Sequence, residues 1–172
     1  MTVIVDDVDK EILKILQRNC RIKLSKLSEM IDKPRTTVAM RIKRLEDEGL
    51  ICSYKAMINP AKLGFTVLAY VLISVKRIAP SQGKSSQVIL AEKIIKDTDE
   101  DSSLPWVEEA EIITGPYDIV LKVWARDIQQ LSHFLINYLP SHPEIQKTET
   151  MLVLEKITDL RDRELPLLKV LR

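Results

Sequence analysis

The hydrophobic period of this chain changes once, at Asn59-Pro60. Before that point apolar residues recur every three or four positions; after it they gather in blocks rich in Val, Ile and Leu. Spacings of three to four residues place side chains on one face of a helix, whereas short β-branched blocks bounded by turn residues are strands. A chain with one such switch builds a helical part followed by a mixed part. At 172 residues it has the length for one sizeable domain or two small ones.

The first part divides into three short helices. Asp7 can cap a helix carrying Val8, Ile12, Ile15 and Leu16. Asn19-Cys20 interrupts it, and a second helix follows with Leu24, Leu27 and Ile31 on one face. Asp32-Lys33-Pro34 breaks the chain, because proline lacks an N–H and disfavours helix in the residue before it. A third helix runs from about Arg35 to Glu48, with Val38, Ile42 and Leu45 as its buried stripe and Gly49 at its C-cap. Ile51 to Ile58 reads as a short strand. Three helices with a tight turn before the third describe a helix-turn-helix unit.

Net charge is only +1, but it is unevenly spread. Arg21 to Arg44 holds eight basic and two acidic residues, whereas Ala61 to the C-terminus holds 14 basic and 16 acidic ones. On the third helix Arg35, Thr36, Thr37, Met40, Arg41, Lys43 and Arg44 point wholly or partly away from the core. Small hydroxyl residues near its N-terminus permit close approach to a DNA groove, and Arg and Lys further along reach phosphates or guanine edges. A solvated basic helix without a partner has the same composition; the preceding turn favours double-stranded DNA.

Beyond the switch, Phe65–Arg77 is a strand, Gln87–Lys96 an amphipathic helix, Val107–Thr114 and Asp118–Ala125 strands around a Gly115-Pro116-Tyr117 turn, Asp127–Leu139 a helix and Ile145–Glu155 a strand. This βαββαβ order is that of a ferredoxin-like half-sandwich, with both helices on one face of the sheet. The first strand is apolar on both sides, so its second face also needs a cover. Self-association is the simplest cover; the N-terminal part or the tail is the alternative.

Other chemistries find little support. Two cysteines and two histidines scattered from Cys20 to His142 make neither a disulfide framework nor a compact zinc site. Four widely separated glycines exclude a Gly-rich phosphate loop. The 11-residue apolar run Phe65–Val75 is far short of the ~20 residues of a membrane span. The N-terminus has no basic start followed by an apolar core, so it is not a secretory leader, and a cytoplasmic protein is expected. His133 and His142 lack sequence-adjacent carboxylates or nucleophiles, so no enzyme is expected. The alternative function is an amino-acid-sensing ferredoxin-like module, or an enzyme subunit, without a DNA target.

The chain resembles the Lrp/AsnC (feast/famine) family of transcription regulators. The resemblance rests on Asp9-Lys10-Glu11-Ile12-Leu13 leading to Asn19-Cys20-Arg21, on Arg41 to Ile51 (RIKRLEDEGLI), on Asn59-Pro60-Ala61-Lys62-Leu63-Gly64, on Thr114-Gly115-Pro116-Tyr117-Asp118, and on Lys147-Thr148-Glu149-Thr150. It implies an α+β chain: a winged-type helix-turn-helix domain over 1–50, a strand and linker over 51–63, a ferredoxin-like effector-binding and oligomerising domain over 64–156, and a tail over 157–172. It also implies homodimers that assemble further, to tetramers or octamers, and a small amino acid as effector, with no other cofactor and no metal. Three departures stand out: Asp32-Lys33-Pro34 where the family often has Gly, an apolar residue and Ser; Pro116 where a polar residue is common; and a long connection from Asp97 to Pro105.

The turn has its own chemistry. Gly115 and Pro116 shape a tight turn whose amides can face a carboxylate, Asp118 suits an α-ammonium group, and Tyr117 offers an aromatic wall and a hydroxyl. Thr148 and Thr150 share one strand face. Together Gly115, Pro116, Tyr117, Asp118, Thr148 and Thr150 can hold a zwitterion; an ordinary hairpin turn needs no more than the first four.

Overall fold

The computed structural model describes residues 4–76, 83–157 and 165–166. The chain divides into two compact units, Met1–Met57 with Ile157–Arg172 and Ile58–Lys156. The division falls inside the expected linker over 51–63.

The first unit holds α1 (Asp7–Arg18), α2 (Leu24–Ile31) and α3 (Arg35–Asp47). Ile12, Leu27, Ile31, Val38 and Leu45 form its core. The cap of α1 is Asp6, one residue earlier than expected: its side chain accepts the Asp9 amide while the Asp9 side chain accepts the Asp6 amide, a reciprocal capping box. Between α2 and α3, Asp32 takes the left-handed backbone (φ 53°, ψ 50°), which a short polar residue tolerates better than other non-glycines. Pro34 precedes α3, whose start has no side-chain cap. At its far end Gly49 (φ 71°) lets the Gly49 and Leu50 amides turn back onto the Glu46 and Leu45 carbonyls, a Schellman closure.

The strand expected over Ile51–Ile58 does not form. The segment has no ladder, and Tyr54, Met57 and Ile58 are exposed. Its composition is strand-like, but among the described residues no strand lies beside it to offer the backbone partners a strand requires.

The second unit is β1 (Val67–Val75), α4 (Ser86–Glu100), β2 (Trp106–Ile112), β3 (Ile119–Ala125), α5 (Ile128–His133, continued by a π turn over Phe134–Tyr138) and β4 (Ile145–Leu152). The four strands form an antiparallel sheet in the order β2-β3-β1-β4, the βαββαβ arrangement that the sequence predicts. Ala69, Val71, Ile73 and Val75 of β1, with Ile119, Leu121 and Val123 of β3, pack on Leu90, Ile94, Leu131 and Phe134 from the helices. Leu68, Tyr70, Leu72, Val120, Lys122 and Trp124 alternate with them and face the other way. The expected end of the first strand, Arg77, and most of the tail lie outside the described residues.

The Asp97–Pro105 connection is shorter than it reads, because α4 runs on to Glu100. Asp101 then closes a turn, its carboxylate accepting the Ser103 amide at 2.8 Å. Leu104 is buried.

Candidate DNA-binding and effector sites

Helix α3 presents three stripes. Val38 and Leu45 are wholly buried. Thr36, Met40 and Lys43, at i, i+4 and i+7, are exposed, as is Arg35 at the N-terminus. Thr37, Arg41, Arg44 and Glu48 form the third stripe, with Thr37 and Arg41 half-buried. Exposed hydroxyl, thioether and ammonium groups on the first free stripe match what a major groove can receive.

The third stripe is committed within the unit. Arg41 Nη1 lies 2.6 Å from Asp6 Oδ2 and 2.9 Å from Asp9 Oδ1, and Arg44 Nη2 donates to Asp9 Oδ2. The Asp9 side chain is only 1% exposed, so this carboxylate depends on the two arginines for its charge balance. The Arg41 hydrogen bond, helped by the Asp9 amide, holds the Asp6 carboxyl down at about 2, and the same acids raise the Arg41 guanidinium. The basic residues of α3 therefore do different work. Arg41 and Arg44 fasten it to the start of α1, whereas Lys33, Arg35 and Lys43 have no acidic partner among the described residues. Asp9, which the sequence offers only as part of the family resemblance, is the acid that holds both arginines; its three-residue spacing from Asp6 was the available clue to its cap.

In the second unit the Gly115 to Asp118 turn sits between β2 and β3. Gly115 has φ 135°, where a Cβ is disfavoured. The Asp118 amide donates to Ile73 O at 2.9 Å, and one Asp118 oxygen accepts the Val75 amide at 2.8 Å. The Gly115 and Tyr117 amides have no partner among the described residues. Tyr117 is buried, its hydroxyl donates to Glu149, and Lys147 Nζ lies 5.1 Å from its ring centroid.

Thr148 pairs with Ile73 and Thr150 with Val71, so both hydroxyls are on the helix side of the sheet, on edge strand β4. Lys147 and Glu149 alternate with them and face the opposite side. The sequence grouping is thus split: Gly115, Pro116, Tyr117 and Asp118 stay together, while Thr148 lies in the row Thr148-Ile73-Ile119, two strand spacings or about 10 Å from β3. Neither histidine joins the turn. His133 is exposed, and His142 is buried edge-on against Tyr138 with their rings 4.8 Å apart.

Comparisons with known proteins match each unit to a known kind of domain. Residues 5–51 match the model of winged helix-turn-helix DNA-binding domains. Residues 91–162 match that of the Lrp/AsnC ligand-binding domain. The chain is 36% identical over 155 residues to the HTH-type transcriptional regulator FL11 of Pyrococcus furiosus, covering 90% of this chain and 93% of that one. It is 34% identical over 167 residues to FL11 of Pyrococcus horikoshii, covering 97% and 99%. Among solved structures, the transcriptional regulator NMB0573 of Neisseria meningitidis in complex with L-methionine superposes with a TM-score of 0.79 at 26% identity, over 98% of this chain and all of that one. AsnC of Escherichia coli gives a TM-score of 0.72 at 26% identity, over 91% and 97%. With two matched domains in the family's order and relatives alike over nearly their whole length, the chain belongs to the Lrp/AsnC family of transcriptional regulators.

Proposed function

We propose that this regulator binds double-stranded DNA through the exposed stripe of α3 and changes its DNA affinity or its assembly when a small amino acid occupies the second unit. The observation that carries the first half is the free stripe itself. Thr36 and Met40, with Thr37 beside them, sit near the helix N-terminus to meet base edges, and Arg35 and Lys43 meet phosphates. Arg41 and Arg44 act on DNA through the position of α3, held there by Asp9.

The second half rests on the turn. An amino acid presents a carboxylate and an ammonium a few ångströms apart, and a buried site must satisfy both. The free Gly115 and Tyr117 amides suit the carboxylate, and the second oxygen of Asp118 suits the ammonium. Thr148 and Thr150, about 10 Å across the sheet, are placed to sort side chains rather than to hold the zwitterion. The methionine named with the Neisseria meningitidis structure supports an amino acid as effector.

The open face of the sheet, with Tyr70 and Met151 exposed on it, is the surface on which the chain pairs with a copy of itself; dimers then assemble to tetramers or octamers. The protein acts in the cytoplasm as a regulator without a catalytic step. One experiment tests the whole reading: thermal shift against the common amino acids, followed by footprinting with and without the best ligand. A ligand that binds only the folded state raises its midpoint. A dimer protects paired half-sites about one helical turn, or a multiple of it, apart. No stabilising amino acid, or protection of a single unpaired half-site, contradicts it.

A further inference from the structure

The segment that follows β4 in the chain groups with the helices of the first unit: Ile157–Arg172 belongs with Met1–Met57. Leu165 shows where it holds on. The Gln17 carboxamide, in the last turn of α1, takes both backbone groups of Leu165. Its oxygen accepts the Leu165 amide at 2.6 Å, and its nitrogen donates to the Leu165 carbonyl at 3.4 Å. A residue bound through N–H and C=O together is held as a neighbouring strand would hold it. Pro166 favours this clamp: it biases the residue before it toward extended backbone and brings no N–H of its own to satisfy.

Beside Gln17 is an open groove. A hollow of about 220 Å³ lies between α1 and α2, lined by Glu11, Lys14, Ile15, Arg18, Met30 and Ile31. Lys14, three residues before Gln17, is its neighbour on the helix surface, so the carboxamide sits at the lip of the groove. The floor is apolar: Ile31 is buried, Ile15 is half-buried, and the Met30 side chain is exposed on one wall. A flexible, polarisable thioether on an open surface adapts to an irregular apolar partner.

The chain carries a segment that fits. From Leu165 the sequence runs Leu-Pro-Leu-Leu-Lys-Val-Leu-Arg, with Lys169 the one polar residue before Arg172. So apolar a run needs cover, and the clamp at Leu165 starts it beside the groove. Twelve residues separate Leu165 from Leu152 at the end of β4. A flexible tether of that length gives an effective concentration on the order of millimolar, so a groove too small to capture a separate peptide suffices.

We propose that the α1–α2 groove is the docking site of this chain's own segment Leu165–Arg172, clamped at Leu165 by Gln17 and seated on Ile15, Met30 and Ile31. The DNA-binding helices then have a second attachment to the effector-binding part of the chain, through the end of β4, in addition to the 51–63 connection. The site uses none of the residues assigned above to DNA or to the effector, so it stands or falls separately from both readings.

Hydrogen exchange on the full-length protein tests the docking. The amides of Leu165–Arg172 should exchange at least tenfold more slowly than in a synthetic peptide of residues 157–172. Gln17→Leu removes both clamp bonds, and Met30→Lys puts a charge on the groove wall; both positions are exposed. Each should return the segment to the exchange rate of the peptide while the amides of β1 and β3 stay as slow as in the parent. Amine cross-linking identifies whose segment it is, because Lys14 lines the groove and Lys169 lies in the segment. When unlabelled and isotope-labelled chains are unfolded and refolded together, Lys14–Lys169 links should join residues of one isotope only. Exchange at the peptide rate in the parent overturns the proposal. So does protection that survives both substitutions, which would seat the segment elsewhere, or links that join the two isotopes, which would give the groove to a second copy.

Discussion

Lys122 Nζ lies 2.8 Å from Glu108 on the face of the sheet opposite α4 and α5. Glu109 is 3.1 Å from the same ammonium, and the Trp124 indole donates to Glu108 at 2.7 Å. Lys122 is nonetheless only 9% exposed, its stem covered by its neighbours. Burial opposes the charged form of Glu108, but the Lys122 and Trp124 hydrogen bonds outweigh it and hold the carboxyl below its usual range. Lys122→Met keeps the stem and removes the charge, leaving the half-buried Glu108 with one donor. The expected cost is about 1–2 kcal/mol, read from urea unfolding. Glu108→Gln, which keeps an acceptor for Trp124, should cost less; an unchanged stability in Lys122→Met would mean that the ion pair contributes nothing net.

Arg44→Gln separates bracing from phosphate contact. Asp9 keeps Arg41 but loses its second cation, so the variant should lose about 1–3 kcal/mol of stability. On a mixed-sequence duplex, the dependence of binding on salt should not change, because Arg44 is already spent on Asp9. Lys43→Ala should do the opposite, leaving stability alone and flattening the slope by about 0.9, the value of one phosphate contact. A flattened slope in Arg44→Gln, measured well below its melting point, would return Arg44 to the DNA contacts.

These cases show what could be read from the chain alone. The buried stripe of α3, the turn before it and the βαββαβ order were legible, because each is written in spacing along one element. The ion pairs of Arg41 and Arg44 with Asp9 were not. As charges on a helix the two arginines look like Lys43, and only packing against α1 brings them to Asp9, more than thirty residues away. Thr148 and Thr150 were correctly put on one strand face, but which face depends on register with β1, which the sequence does not display. The 51–58 segment differs for a related reason: its composition suits a strand, and a strand forms only where another backbone is present to pair with it.

Asp6 predicts the acid limb of stability. Its folded pKa of about 2 is below the unfolded 3.8, so it contributes stability that is fully present above about pH 4 and is lost as pH falls toward 2. Asp6→Asn keeps an acceptor for the Asp9 amide and removes the titration. Denaturant midpoints between pH 4 and 2 should therefore fall less steeply in Asp6→Asn than in the parent. Parallel curves would mean that the Arg41 bond does not outlast solvent screening at this half-exposed carboxylate.

Asp118 carries two duties, and two substitutions tell them apart. One oxygen accepts the Val75 amide and so ties the turn to the end of β1; the proposed ammonium contact needs the negative charge. Asp118→Ala removes both, which should cost about 1–3 kcal/mol of stability for the orphaned amide and at least tenfold in affinity for the amino acid. Asp118→Asn retains a carbonyl for Val75 and loses only the charge, so its stability should stay within about 0.5 kcal/mol of the parent. Its affinity for the effector should still fall at least tenfold, because an ammonium would then face a neutral amide in place of a carboxylate. Calorimetry with the best ligand from the thermal screen, paired with urea unfolding of both variants, measures each quantity. Equal affinity in Asp118→Asn and the parent would leave Asp118 as the latch of β1 alone and move the ammonium site elsewhere on the unit.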